Sequence, residues 1–86
     1  MQTINILGSN LSGIDGTTGR TYTIGVTVSG SPMIQLDNQT LIPYTDYIYN
    51  TTNTLITFNV PILDVQYITI YYNESAISGA TGVYYT

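Results

Sequence analysis

Cysteine, histidine, tryptophan and lysine are absent from this 86-residue chain, and Arg20 is its one basic side chain. Without them there is no thiolate nucleophile, no imidazole base near neutral pH, no zinc ligand set and no lysine for a Schiff base. No disulfide can staple the fold. Charge is scarce as well: five acidic residues against one arginine leave a net charge of -4, and only 7% of the chain is charged. Neutralising phosphates needs a basic surface, so nucleic acid is excluded as a partner. No window approaches the ~20 apolar residues of a membrane span, and residues 1–7 lack the basic start and long apolar core of a signal peptide. A soluble chain with no membrane partner is expected.

The acidic residues Asp15, Asp37, Asp46, Asp64 and Glu74 are scattered, and none sits in a calcium-loop spacing. No metal or cofactor is therefore expected, a calcium ion between loops being the lesser alternative. A short-looped sheet also leaves little room for the cleft that a carboxylate pair needs to hydrolyse a glycoside. The chain reads as non-enzymatic. N-x-[ST] triplets begin at Asn10, Asn38, Asn50 and Asn73; with seven Asn and 21 Ser+Thr they follow from composition rather than marking glycosylation.

What the chain does have is β-forming side chains. Thr, Ile, Tyr, Val and Phe supply 42 of the 86 residues, while Ala, Leu, Glu, Lys, Arg, Gln and Met together supply 16. The composition predicts an all-β fold. A domain this small hides only about 60–65% of the surface its unfolded chain exposes, so its core is thin and needs support. β-Proteins guard free sheet edges with Lys and other charges, and here Arg20 stands alone. Self-association or docking on a larger assembly is the expected remedy.

Short strands separated by turn signals run along the chain. Residues 3–7 alternate Ile4 and Ile6 with Thr3 and Asn5, as a strand or extended arm would. A Gly/Ser/Thr-rich loop follows to Gly19, with a turn at Asp15-Gly16. From Thr21 to Val28 the alternation predicts a half-buried strand with Tyr22, Ile24, Val26 and Val28 on one face, ended by Gly30-Ser31-Pro32. Met33–Leu36 and Gln39–Ile42 flank Asp37-Asn38, a pair that tolerates the positive φ of a tight hairpin, and Pro43 stops that ribbon. Tyr47–Asn50 and Leu55–Phe58 flank Thr51–Asn53, predicting a second hairpin with Ile56 and Phe58 facing the core. Asp46 is expected to accept hydrogen bonds from the turn after Pro43. Beyond Pro61, Val65–Tyr72 is expected as the longest strand, apolar on both faces and so either central or covered by a neighbouring subunit. Residues 1–19 thus form an N-terminal strand or arm with a loop, 20–74 the core, and 75–86 a tail that could add a strand to a partner.

Nine tyrosines are the conspicuous aromatic resource. They suit cross-strand pairs and subunit contacts, and alternatively a platform on which sugar rings stack. Tyr44, Tyr47 and Tyr49 lie close in sequence, the last two on one strand face, and are the first expected exposed contact residues; Tyr84 and Tyr85 are the second set.

Residues 30–72 carry, in order, a hairpin, Asp46-Tyr47, Ile56-Thr57-Phe58, Pro61, and Ile68-Thr69-Ile70 with Tyr71-Tyr72. This order resembles the β-sandwich repeat of many tailed-phage virion proteins, over about half the chain. That repeat usually carries Gly-Asp before its last strand, where this chain has Val65-Gln66 preceded by Asp64. The resemblance implies a non-enzymatic module of capsid decoration, head or neck fibres, or tail fibres. The expected architecture is an all-β sandwich or small barrel of about seven short strands. Beginning at Met1 and too short for a complete fibre, the chain is expected to be a virion protein that decorates or stabilises a capsid, with the major capsid protein and further copies of itself as partners. A trimer follows by analogy with such virion parts. The alternatives are a tail-fibre or receptor-binding module that contacts host glycan, and a cellular adhesin or carbohydrate-binding domain.

Overall fold

The computed structural model describes residues 1–74, and the expected tail, Tyr84 and Tyr85 included, lies outside them. The described chain is all-β. Its strands are β1 (Gln2–Leu7), β2 (Thr21–Thr23), β3 (Val28–Leu36), β4 (Gln39–Thr40), β5 (Tyr47–Asn50), β6 (Leu55–Phe58) and β7 (Tyr67–Glu74). They form two antiparallel sheets, a four-stranded one in the order β1-β7-β3-β4 and a three-stranded one in the order β2-β6-β5. The sheets stack face to face and their outer strands do not join, so the fold is a sandwich and not a closed barrel.

Both hairpins sit where turn chemistry puts them. Asp37 and Asn38 hold φ of 49° and 69°, the paired left-handed conformation that a two-residue hairpin needs, and Leu36 pairs Gln39 across it. Asn50 pairs Leu55 across the β5–β6 turn, whose last residue, Thr54, takes φ 54°. Strand β7 is central, the first of the two expected alternatives, with β1 on one side and β3 on the other. Residues 1–19 are part of the same unit: β1 is a strand of the larger sheet, and Leu11 joins the core.

Two strand boundaries depart from the alternation. The expected strand from Thr21 to Val28 ends at Thr23, because Gly25 takes φ 88° and lets the chain leave the three-stranded sheet; Val28 then opens β3 in the other. Gly30-Ser31-Pro32 does not end a strand. Ser29 pairs Asn73 and Met33 pairs Tyr71, so these three residues bulge inside β3 opposite Tyr72. The bulge absorbs the missing N–H of Pro32, and it makes β3, at nine residues, longer than β7 at eight.

The core has two layers. The larger sheet contributes Ile34, Ile68 and Ile70, flanked by Ile4, Ile6, Leu36 and Tyr72; the smaller contributes Tyr47, Ile56 and Phe58, flanked by Tyr22 and Tyr49. Leu11, Leu41 and Ile62 close the space between them from the loops. Burying a side chain the size of Phe58 contributes about 1.5–3 kcal/mol.

One end of the sandwich is tied by Arg20, which is only 2% exposed. Its Nε donates to Ser12 O at 3.0 Å, Nη1 to Ile62 O at 2.7 Å, and Nη2 to Asp64 Oδ1 at 2.8 Å. The Asp64 N–H in turn donates to Asp15 Oδ1 at 2.7 Å. The one cation therefore guards no sheet edge; it clamps the loop after β1 to the loop before β7. Gly8 belongs to the same junction, because a side chain there would collide with the carbonyl oxygen of Leu63. Thr17 N–H closes a turn onto Ile14 O at 3.1 Å, with Asp15-Gly16 at its centre and Gly16 at φ 78°.

Candidate interaction surface

The described residues form no pocket, and among them no three His, Cys, Asp or Glu converge as metal ligands would. What the fold offers a partner is open surface: loop tips, sheet faces and sheet edges.

Of the three neighbouring tyrosines expected at the surface, only Tyr44 is there. It is 79% exposed and holds φ 68° in the loop before β5, where its N–H donates to Tyr47 O at 2.8 Å. Left-handed backbone is costly for a bulky residue, and the loop holds it there. Asp46 Oδ2 accepts from the Ile42 N–H at 2.8 Å, and the Asp46 N–H donates back to Ile42 O at 2.8 Å. Asp46 thus fixes the approach to β5 as expected, though its donor precedes Pro43 instead of following it.

Tyr47 and Tyr49 face inward, against expectation. They pair across the hairpin with Phe58 and Ile56, and directly opposed residues share a sheet face. The register that buries Phe58 and Ile56 therefore buries the tyrosines and turns Ile48 out. Tyr47 is 1% exposed, and its hydroxyl donates to Pro32 O in the β3 bulge at 2.6 Å. Tyr49 is half-buried, and its hydroxyl is buried without a hydrogen-bond partner. Burial raises both phenols above the usual tyrosine pKa by disfavouring the phenolate.

The outer face of the larger sheet is the broadest candidate surface. Cross-strand rows place Leu7 beside Tyr67, Asn5 beside Thr69 and Gln35, and Thr3 beside Tyr71 and Met33. These strand residues carry no charge, and the first row ends at Asp37 of the hairpin turn, whose Oδ1 accepts the Tyr67 N–H at 2.9 Å. Leu7, Met33 and Tyr67 are each 44–45% exposed, and Tyr71 is half-buried. In the sequence this surface is the second face of Val65–Tyr72, where Tyr67, Thr69 and Tyr71 alternate with Ile68 and Ile70.

The edges differ from one another. On β2, Thr21 O accepts the Ser12 N–H at 2.9 Å and the Thr21 N–H donates to Ser12 Oγ at 3.0 Å, so the preceding loop covers it. On β5, Tyr44 covers the carbonyl of Tyr47. Strand β4 has two residues and meets Pro43 shortly after, while the half of β3 that β4 does not reach carries the bulge and Pro32. Strand β1 has six residues with no charge, proline or bulge, and among the described residues nothing pairs with its outer side. Natural sheets blunt such edges by shortness, proline, bulges or covering loops, and β1 shows the least of these: among the described residues its outer side is capped only at the Leu7 N–H, by Asn10 Oδ1.

Comparison with known proteins adds no neighbour: no family model, curated protein or solved structure matches the chain.

Proposed function

We propose that this protein is a non-catalytic assembly module, a small structural protein of a tailed-phage virion that decorates or stabilises the capsid. The observation that carries the reading is a thin sandwich with one uncharged sheet face and one bare edge strand, the two kinds of surface by which β-modules add to one another or to a lattice. The order of motifs over residues 30–72, which resembles virion β-sandwich repeats, directs the reading to a particle rather than to a cell surface. Its action is to add buried area across subunit boundaries, with Tyr44, Tyr67 and Tyr71 as amphipathic contacts and main-chain groups as the pairing element. Mass spectrometry of purified phage particles tests it: the chain should be present at a fixed ratio to the major shell subunit. Absence from particles overturns the proposal.

A second reading has one observation in its favour. Tyr67 and Tyr71 lie four residues apart on the same outer face of β7, about 13 Å along the strand, with the Asp37 carboxylate beside Tyr67 as a hydrogen-bond acceptor, a surface on which sugar rings can stack. A tail-fibre module that contacts host glycan would lose a glycan-array signal on Tyr67→Ala with the fold intact. A decoration protein would show no such signal.

A further inference from the structure

Resting on the assembly reading above, we infer that β1 pairs antiparallel with β1 of a second copy, with Ile4 on the two-fold axis. The Gly8 N–H donates to Gln66 O at 2.8 Å, continuing the β1–β7 register. Since antiparallel strands turn alternate residues toward each neighbour, even-numbered residues of β1 point their N–H and C=O groups at β7. Thr3, Asn5 and Leu7 point theirs outward. The Leu7 N–H is already taken by Asn10 Oδ1 at 3.2 Å, which closes that end of the edge. The N–H and C=O of Thr3 and of Asn5 are left open, beside the Leu7 C=O at the capped end.

This set is self-complementary. When β1 meets its copy with Ile4 opposite Ile4, both groups of Thr3 face both groups of Asn5 of the second copy, and the two-fold axis repeats the exchange. Every outward group of Thr3 and Asn5 is satisfied, and the Asn10 cap on Leu7 is left undisturbed. A shift that put Asn5 on the axis would instead bring Leu7, already capped, opposite Thr3. Packing favours the same arrangement. Ile4 and Ile6 remain half-exposed, because the three-stranded sheet is narrower than the four-stranded one. Pairing at Ile4 covers both from the side, with Gln2 opposite Ile6. No charge on β1 opposes the approach, although the chain as a whole carries -4. The contact is isologous and closes as a dimer, a different symmetry from the trimer that the resemblance implies.

Sedimentation equilibrium on the full chain, from micromolar to millimolar concentration, should give the mass of two copies. Thr3→Pro removes an outward N–H and leaves the β7 ladder whole, as proline on an edge strand does; the dissociation constant should rise about tenfold or more. In a chain without cysteine, Ile4→Cys should give a disulfide-linked dimer under mild oxidation, because the two residues on the axis are a directly opposed pair. Ser29→Cys, exposed on β3, is the control for random collision and should stay reduced. If Thr3→Pro fails to fold, the Ile4→Cys cross-link decides. A monomer at all concentrations, a trimer, or a dimer indifferent to Thr3→Pro in which Ile4→Cys stays reduced overturns the inference. Particles that contain the protein while its free form is monomeric overturn the β1 pairing alone, and a β1 dimer missing from every particle overturns the virion reading alone.

Discussion

The two layers that meet in the core are built from different chemistry. The four-stranded sheet presents mainly isoleucine and leucine, with half-buried Tyr72 at its margin, whereas the three-stranded sheet presents Tyr22, Tyr47, Tyr49 and Phe58 around Ile56. The aliphatic layer needs only shape; the aromatic layer also needs partners for phenol oxygens. Tyr47 reaches across the sandwich and finds one in Pro32 O, at the point where the β3 bulge turns a carbonyl inward. Tyr49, two residues along the same face, finds none. The bulge is thus both a strand irregularity and the polar socket that lets one sheet accept a tyrosine from the other.

The largest effect should come from truncating the aromatic anchor. Phe58→Ala removes a fully buried ring and should cost about 3–5 kcal/mol, read as a lowered urea midpoint with an unchanged slope. A cost below 1 kcal/mol would mean that the aromatic layer is loosely packed. Next is Tyr47→Phe, which keeps the ring and strands Pro32 O; it should cost about 1–3 kcal/mol.

The same residue gives the pair a pH signature. Burial raises the phenol pKa in the folded state, so its stabilising contribution is complete below pH 10, the ordinary tyrosine value. Above that pH it is lost, because unfolded chains release a proton that folded chains keep. Stability should fall through the alkaline range, and less steeply in Tyr47→Phe. In the aliphatic layer, Ile34→Val should cost about 0.5–1.5 kcal/mol and leave the alkaline profile unchanged. Smallest of all is Tyr49→Phe. With no hydrogen bond to lose, it should shift stability by under about 0.5 kcal/mol, or raise it. A loss as large as that of Tyr47→Phe would break the contrast between the two hydroxyls.

Turn chemistry made much of this fold legible in the sequence. Asp37-Asn38 announces a reversal through residues that tolerate left-handed backbone, the Thr51–Asn53 stretch through a polar break between two apolar runs, and the strands beside them lie where expected. The Thr21–Val28 alternation misled for a physical reason. Tyr22 packs against the core from the three-stranded sheet, whereas Val28 is buried on the four-stranded sheet outside the central cluster, and a period of two is blind to the crossing at Gly25. Likewise, the pattern puts Tyr47 and Tyr49 on one face without saying which face is wet. Their cross-strand partners Phe58 and Ile56 held that answer, and the hairpin register would have supplied it. Arg20 was the least legible residue: its partners Ile62 and Asp64 lie more than forty positions away, so no local pattern marks it as a clamp.

That clamp also decides how the molecule meets a protease. Trypsin cuts after lysine or arginine, and this chain offers it one bond, Arg20–Thr21. The carbonyl of Arg20 accepts from the Phe58 N–H at 2.9 Å, and the side chain that trypsin must seat is enclosed. Hydrolysis has to wait until the sandwich opens, so the rate at which two fragments accumulate reports the population of opened molecules.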